Sequence, residues 1–113
     1  MAIVDDDEVV LEATSAFLES MGYEAISFNS GRAFLDSDKI DAVSLLLTDV
    51  NMSEMSGLEL QDLARLRRPT IEIVMMTGLE DERIRRKALA GGAKDFLHKP
   101  VLAIDLIRCL EGV

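Results

Sequence analysis

The sequence predicts an α/β fold, a parallel sheet with helices on both faces, and three observations carry that prediction. Leu45, Leu46 and Leu47 form a continuous apolar run, the pattern of a strand buried on both faces of a parallel sheet. Strand-like runs alternate with helix-like spacings five times along the chain, which implies right-handed crossovers between parallel strands. Four of the predicted strands stop at acidic or polar residues: Asp5-Asp6-Asp7, Thr48-Asp49, Thr77-Gly78 and Lys99-Pro100. In open α/β sheets, ligands bind in the crevice at the carboxyl ends of the strands.

The elements follow in order. Ile3-Val4 ends a short strand that opens into the acidic cluster; so little strand precedes it that the chain is expected to begin late in that strand. Val10, Ala13, Phe17 and Met21 recur at helical spacing from Glu8 to Met21, with Asp7 as N-cap and Gly22 as the stop. Tyr23–Phe28 reads as a second strand, Ser30-Gly31 starts a short helix through Leu35, and Asp36–Asp41 reads as a polar turn. After the third strand comes a turn-rich segment with Asn51, Ser53, Ser56 and Gly57, then a helix over Leu58–Arg67 ended by Pro69. Ile71–Met76 is the fourth strand, Glu80–Ala90 the fourth helix, closed by Gly91-Gly92. Asp95–His98 is a short fifth strand and Ala103–Leu110 the last helix.

The 113 residues suffice for one core, and no repeat or linker divides them, so one domain over 1–113 is expected. Apolar runs fall far short of a membrane span and no leader opens the chain, so a soluble cytoplasmic protein is expected. The single Cys109 excludes an internal disulfide and a cysteine-built metal site; it reads as a buried apolar residue of the last helix. His98 is expected at an edge or surface with no role, and Met52, Met55, Met75 and Met76 as packing. Residues 1–64 carry 14 acids and 2 bases, residues 65–113 carry 7 acids and 10 bases. The net charge of −9 argues against nucleic acid as a direct ligand.

In such a fold Asp5, Asp6, Asp49, Thr77 and Lys99 meet at one edge of the sheet. Three carboxylates in one crevice repel, and a divalent cation resolves the repulsion. Magnesium (Mg2+) suits an all-oxygen site of two carboxylates and a backbone carbonyl. A carboxylate facing a lysine and a hydroxyl also suits phosphoryl transfer, in which it attacks phosphorus to give an aspartyl phosphate.

The segments IVDDDE, LLLTDVNMSEMSGLEL, IVMMTG and AGGAKDFLHKP, in this order and spacing, resemble the receiver domains of two-component response regulators. The resemblance covers essentially the whole chain and implies a flavodoxin-like, doubly wound five-stranded sheet of order 2-1-3-4-5. It implies that Asp49 is the phosphoacceptor, that Asp5 and Asp6 hold Mg2+ with Asp49, and that Asn51 offers the metal its backbone carbonyl. Thr77 becomes the hydroxyl that follows the phosphoryl group, Lys99 its cationic partner with a cis bond to Pro100, and Phe96 the aromatic switch residue. The implied partner is a sensor histidine kinase or a phosphotransfer protein, with no membrane or direct nucleic-acid contact. Catalysis is limited to the domain's own phosphorylation and dephosphorylation.

The chain departs from the family pattern in four places. Ser53 replaces a usual proline and is expected to loosen the loop after Asp49; Gly78 gives room beside Thr77; Phe96 lacks a hydroxyl; Val101 replaces a frequent aromatic. The basic run Arg83, Arg85, Arg86 and Lys87 reads as a solvated face or as part of a homodimer surface through helix 4 and strand 5. No output element is readable, although FNSGRAFL resembles receivers that precede helix-turn-helix DNA-binding domains. Two rival readings stay open. Asp5-x-Asp7-x-Val9 matches the motif of haloacid-dehalogenase-type phosphatases, with Asp5 as nucleophile, and a phosphate-independent receiver-like scaffold needs no chemistry at all.

Overall fold

The apolar strands divide their side chains between two cores, and that alternation organises the protein. The structure is a computed structural model that describes residues 1–79 and 81–111. Five parallel strands, β1 (Ala2–Val4), β2 (Ile26–Phe28), β3 (Leu45–Asp49), β4 (Glu72–Thr77) and β5 (Asp95–His98), lie in the order β2-β1-β3-β4-β5. Successive side chains point to opposite faces. Val4, Leu46, Ile73 and Met75 therefore meet one set of helices, α2 (Gly31–Asp36), α3 (Gly57–Arg67) and α4 (Glu82–Ala90). Ile3, Leu45, Leu47, Val74 and Met76 meet the other, α1 (Glu8–Ser20) and α5 (Ala103–Glu111). The expected sheet order and two-sided covering are both present.

Helix ends follow local chemistry. Asp7 caps α1, its carboxylate accepting from the Val9 and Val10 amides at 2.9 and 3.4 Å. Gly22 takes φ +90°, a conformation that glycine adopts without a Cβ penalty. Ser56 and Glu59 form a reciprocal capping box at the start of α3. Asp81 caps α4; Glu80, the expected first residue of that helix, lies outside the described residues.

Three expectations change. The second strand is Ile26–Phe28 rather than Tyr23–Phe28, because the Tyr23 amide is spent on the Leu18 carbonyl to close α1. The polar turn after α2 contains a short 3-10 helix, Asp38–Asp41, which drives Ile40 into the core. In α1 the buried residues are Leu11 and Leu18, not the Val10–Ala13–Phe17–Met21 stripe. Val10, Ala13 and Phe17 instead line an open apolar groove of about 620 Å³ shared with Pro100, Val101 and Leu106.

Cys109 is buried and its thiol donates to Asp95 Oδ2 at 3.1 Å. Burial, then that hydrogen bond and the Asp95 charge, push its pKa up to about 12, so it is a packing residue rather than a thiolate nucleophile. His98 is exposed at the end of β5, and Met75 and Met76 are core. Among the described residues no helix is long and apolar enough to cross a membrane.

Candidate functional site

Strand register brings the polar strand ends together. Val4 pairs with Thr48, so Asp5 and Asp49 leave the sheet side by side. Asp49 pairs with Met76, which carries Thr77 one step further out; Thr77 pairs with His98, which carries Lys99 one step beyond that. The Lys99 amide donates to the Thr77 carbonyl at 2.7 Å and ties the last step down, and the Lys99–Pro100 bond is cis.

Of the five residues expected to meet, Asp5, Asp6, Asp49 and Lys99 bring their side chains together, and Thr77 is joined to Lys99 through the backbone. Carboxylate oxygens of Asp5, Asp6 and Asp49 lie within 4.8 Å of one another. Lys99 Nζ stands 2.7 Å from Asp5 Oδ2 and 3.3 Å from Asp49 Oδ1. Asp5 is fully buried and Asp49 nearly so, whereas Asp6 faces solvent at the mouth. Burial first, and then the Asp5 charge, raise the Asp49 pKa above its ordinary value, against the opposing pull of Lys99 and the Asn51 amide. Burial alone draws Lys99 down, but its hydrogen bond to Asp5 and the two carboxylate charges outweigh this and raise it.

Three carboxylates against one ammonium leave two uncompensated negative charges, matching one divalent cation. The donors are all oxygen, they are compact, and Asp6 keeps the cluster open to water, so the residues fit Mg2+.

The loop over residues 50–56 leads from Asp49 at the end of β3 into α3. The Gly57 amide closes it onto the Val50 carbonyl at 2.8 Å, and a Cβ at Gly57 would strike the Asp49 carbonyl oxygen. Ser53, having an N–H where proline has none, donates to Asp6 Oδ2 at 3.2 Å. Gly78 does leave open space beside Thr77. Phe96 packs, half-buried, against the α2–α3–α4 core.

Two contributions escaped sequence reasoning. The Asn51 carboxamide, and not only its backbone, enters the site by donating to Thr77 Oγ1 at 3.2 Å. The Thr48 hydroxyl donates to the Asp49 carbonyl at 3.0 Å and stiffens the strand end. The first joins residues 26 positions apart, which leaves no local signal to find.

The chain matches the response regulator receiver domain over residues 1–111 and belongs to that family, the receivers of two-component signalling. It is 40% identical over 109 residues to response regulator protein TmoT of Ectopseudomonas mendocina, covering 96% of this chain and 50% of that protein. It is 37% identical over 98 residues to transcriptional regulatory protein FixJ of Azorhizobium caulinodans, covering 87% and 46%. The chain thus spans about half the length of these curated relatives. A CheY-like receiver domain protein from Methanospirillum hungatei superposes with a TM-score of 0.89 at 32% identity, over 98% of this chain and 89% of that one.

Proposed function

We propose that Asp49 is the phosphoacceptor of this receiver, and that its phosphorylation by a histidine kinase or phosphotransfer protein switches the α4–β5 surface. The observation that carries this reading is the Asp49 carboxylate itself, set between the Lys99 ammonium and two further carboxylates at the open edge of the sheet. An Asp49 oxygen attacks the phosphorus of a phosphohistidine; the P–O bond forms as the P–N bond breaks, and the imidazole leaves with the electron pair and takes up a proton. Lys99 neutralises a phosphoryl oxygen and Thr77 donates its hydroxyl proton to another. Asp5, Asp6, Asp49 and the Asn51 carbonyl would hold Mg2+, which when bound supplies the remaining neutralisation of the phosphoryl charge.

The apolar groove beside Lys99, rimmed by the exposed Val9 and by Pro100, is the seat we assign to the phosphodonor protein. Movement of Thr77 would be relayed through Phe96 to α4, which rests on the core through Ala88 with Ile84 and Leu89 partly buried beside it. That surface would serve a homodimer or a downstream output in the cytoplasm. For the whole protein we propose control of transcription, by analogy with FixJ. The domain transforms no outside substrate; it catalyses its own phosphorylation and hydrolysis. One receiver domain over 1–113 suffices for this chemistry.

Asp5 is poorly suited to be a phosphatase nucleophile. Its Oδ1 accepts from the Asp7 amide at 2.9 Å and its Oδ2 is held by Lys99, while the Asp7 side chain is committed to capping α1.

Mass spectrometry after acetyl phosphate treatment tests the proposal. A Mg2+-dependent phosphoryl adduct is expected on Asp49 and is lost in Asp49→Ala. An adduct on Asp5 would reinstate the phosphatase reading. A folded, metal-binding protein with no adduct would be a phosphate-independent scaffold.

A further inference from the structure

The Thr77 hydroxyl is held by a residue that the phosphoryl chemistry does not itself require. Thr77 is buried, and its Oγ1 accepts from two donors, the Asn51 carboxamide at 3.2 Å and the Leu79 amide at 3.1 Å. Two donors fill the acceptor capacity of a hydroxyl and leave only its proton to give. Among the described residues, Thr77 makes no side-chain hydrogen bond to Asp49 or Lys99.

The two donors differ in what movement does to them. Leu79 follows Thr77, the last residue of β4, by two positions and travels with it. Asn51 belongs to the β3–α3 loop, whose backbone is fastened by the Gly57–Val50 and Ser53–Asp6 hydrogen bonds. Its carboxamide therefore reaches from a loop fastened at two points to the end of β4, and a Cβ at the next residue, Gly78, would meet nothing within 4 Å.

We propose that the Asn51 side chain is a positioning group that restrains Thr77 in the unphosphorylated protein, so that the switch proceeds only by breaking the Asn51–Thr77 hydrogen bond. This rests on the reading of Asp49 as phosphoacceptor. The role is separate from that of the Asn51 backbone carbonyl, which survives any side-chain substitution. Asn51 is exposed, so truncating it leaves no cavity.

The test compares wild type with Asn51→Ala in Mg2+, titrated with beryllofluoride as a phosphoryl mimic. The Thr77 methyl and Leu79 amide NMR signals are the readout, and Mn2+ binding by electron paramagnetic resonance monitors the metal site separately. In Asn51→Ala, before any mimic is added, both signals should lie part-way along the path that wild type follows on saturation. Half-saturation should need about two- to tenfold less beryllofluoride, the range one net hydrogen bond commands. Mn2+ affinity is measured for both proteins, so that beryllofluoride half-saturation is compared at equal metal occupancy. Unchanged signals, or weaker beryllofluoride binding at equal metal occupancy, would overturn the proposal, because Asn51 would then support the bound state or do nothing. If wild type itself fails to respond while still binding Mn2+, the phosphoacceptor reading falls and the restraint falls with it.

Discussion

The two halves of the site are held by different kinds of force. On the Asp5–Lys99–Asp49 side, buried charges are locked by an ammonium 2.7 and 3.3 Å away. On the Thr77 side, a buried hydroxyl is held by two neutral donors above 3 Å. Charged pairs in a buried site are costly to break because the remaining charge is stranded, whereas a neutral hydrogen bond is worth only about 1 kcal/mol net. The charged half is thus suited to hold its geometry and the neutral half to move, which is the division of labour a phosphorylation switch needs.

The contrast can be broken directly. Without divalent cation, Lys99→Ala strands two buried carboxylates and should cost about 3 kcal/mol in urea unfolding at neutral pH. Thr77→Val keeps the shape, loses two accepted hydrogen bonds, and should cost about 1–2 kcal/mol. Equal losses in the two variants would remove the distinction between the halves.

pH sharpens the same comparison. A carboxyl whose folded pKa is raised stabilises the fold below its ordinary value of 3.8, and that contribution is lost as pH rises through the folded value. Asp49→Asn, which cannot ionise, should therefore be more stable than wild type at pH 7 in metal-free urea titrations, with the gap closing towards pH 4. The raised Lys99 pKa works at the other end. Its stabilisation is full below the ordinary 10.5 and is lost as pH climbs through the folded value, so Lys99→Ala should lack that alkaline loss.

The smallest effect is expected outside the site. Gln61, buried in α3, donates to the Ala88 carbonyl at 3.1 Å while its Oε1 has no hydrogen-bond partner among the described residues. Gln61→Leu gives up one hydrogen bond but also removes a stranded acceptor, so its stability should stay within about 1 kcal/mol of wild type. A much larger loss would show that this link between α3 and α4 is part of the core rather than a stitch across it.

Much of the architecture was legible because period and punctuation are local. The Leu45–Leu47 run, the Asp7 cap, the Gly22 stop and the acidic or polar strand ends each announce themselves within a few residues. α1 shows the limit of such signals. Val10, Ala13 and Phe17 have helical spacing, yet that spacing cannot say whether the stripe meets the sheet or a neighbouring helix. It lines the groove towards α5, while Leu11 and Leu18 take the sheet. Ser53 shows the same limit: read as the loss of a stiff proline, it proves to be the gain of a donor to Asp6.

By itself the sequence determined the alternation of strands and helices, the edge at which the functional residues collect, and the chemical kinds present there. Those properties follow from hydrophobic period and backbone preference, which act over short stretches of chain. Tertiary structure alone decided which donors meet which acceptors: Lys99 on Asp5 before Asp49, Ser53 on Asp6, and Asn51 on Thr77. These contacts join positions 94, 47 and 26 residues apart, and their existence depends on strand register and loop closure rather than on any local pattern.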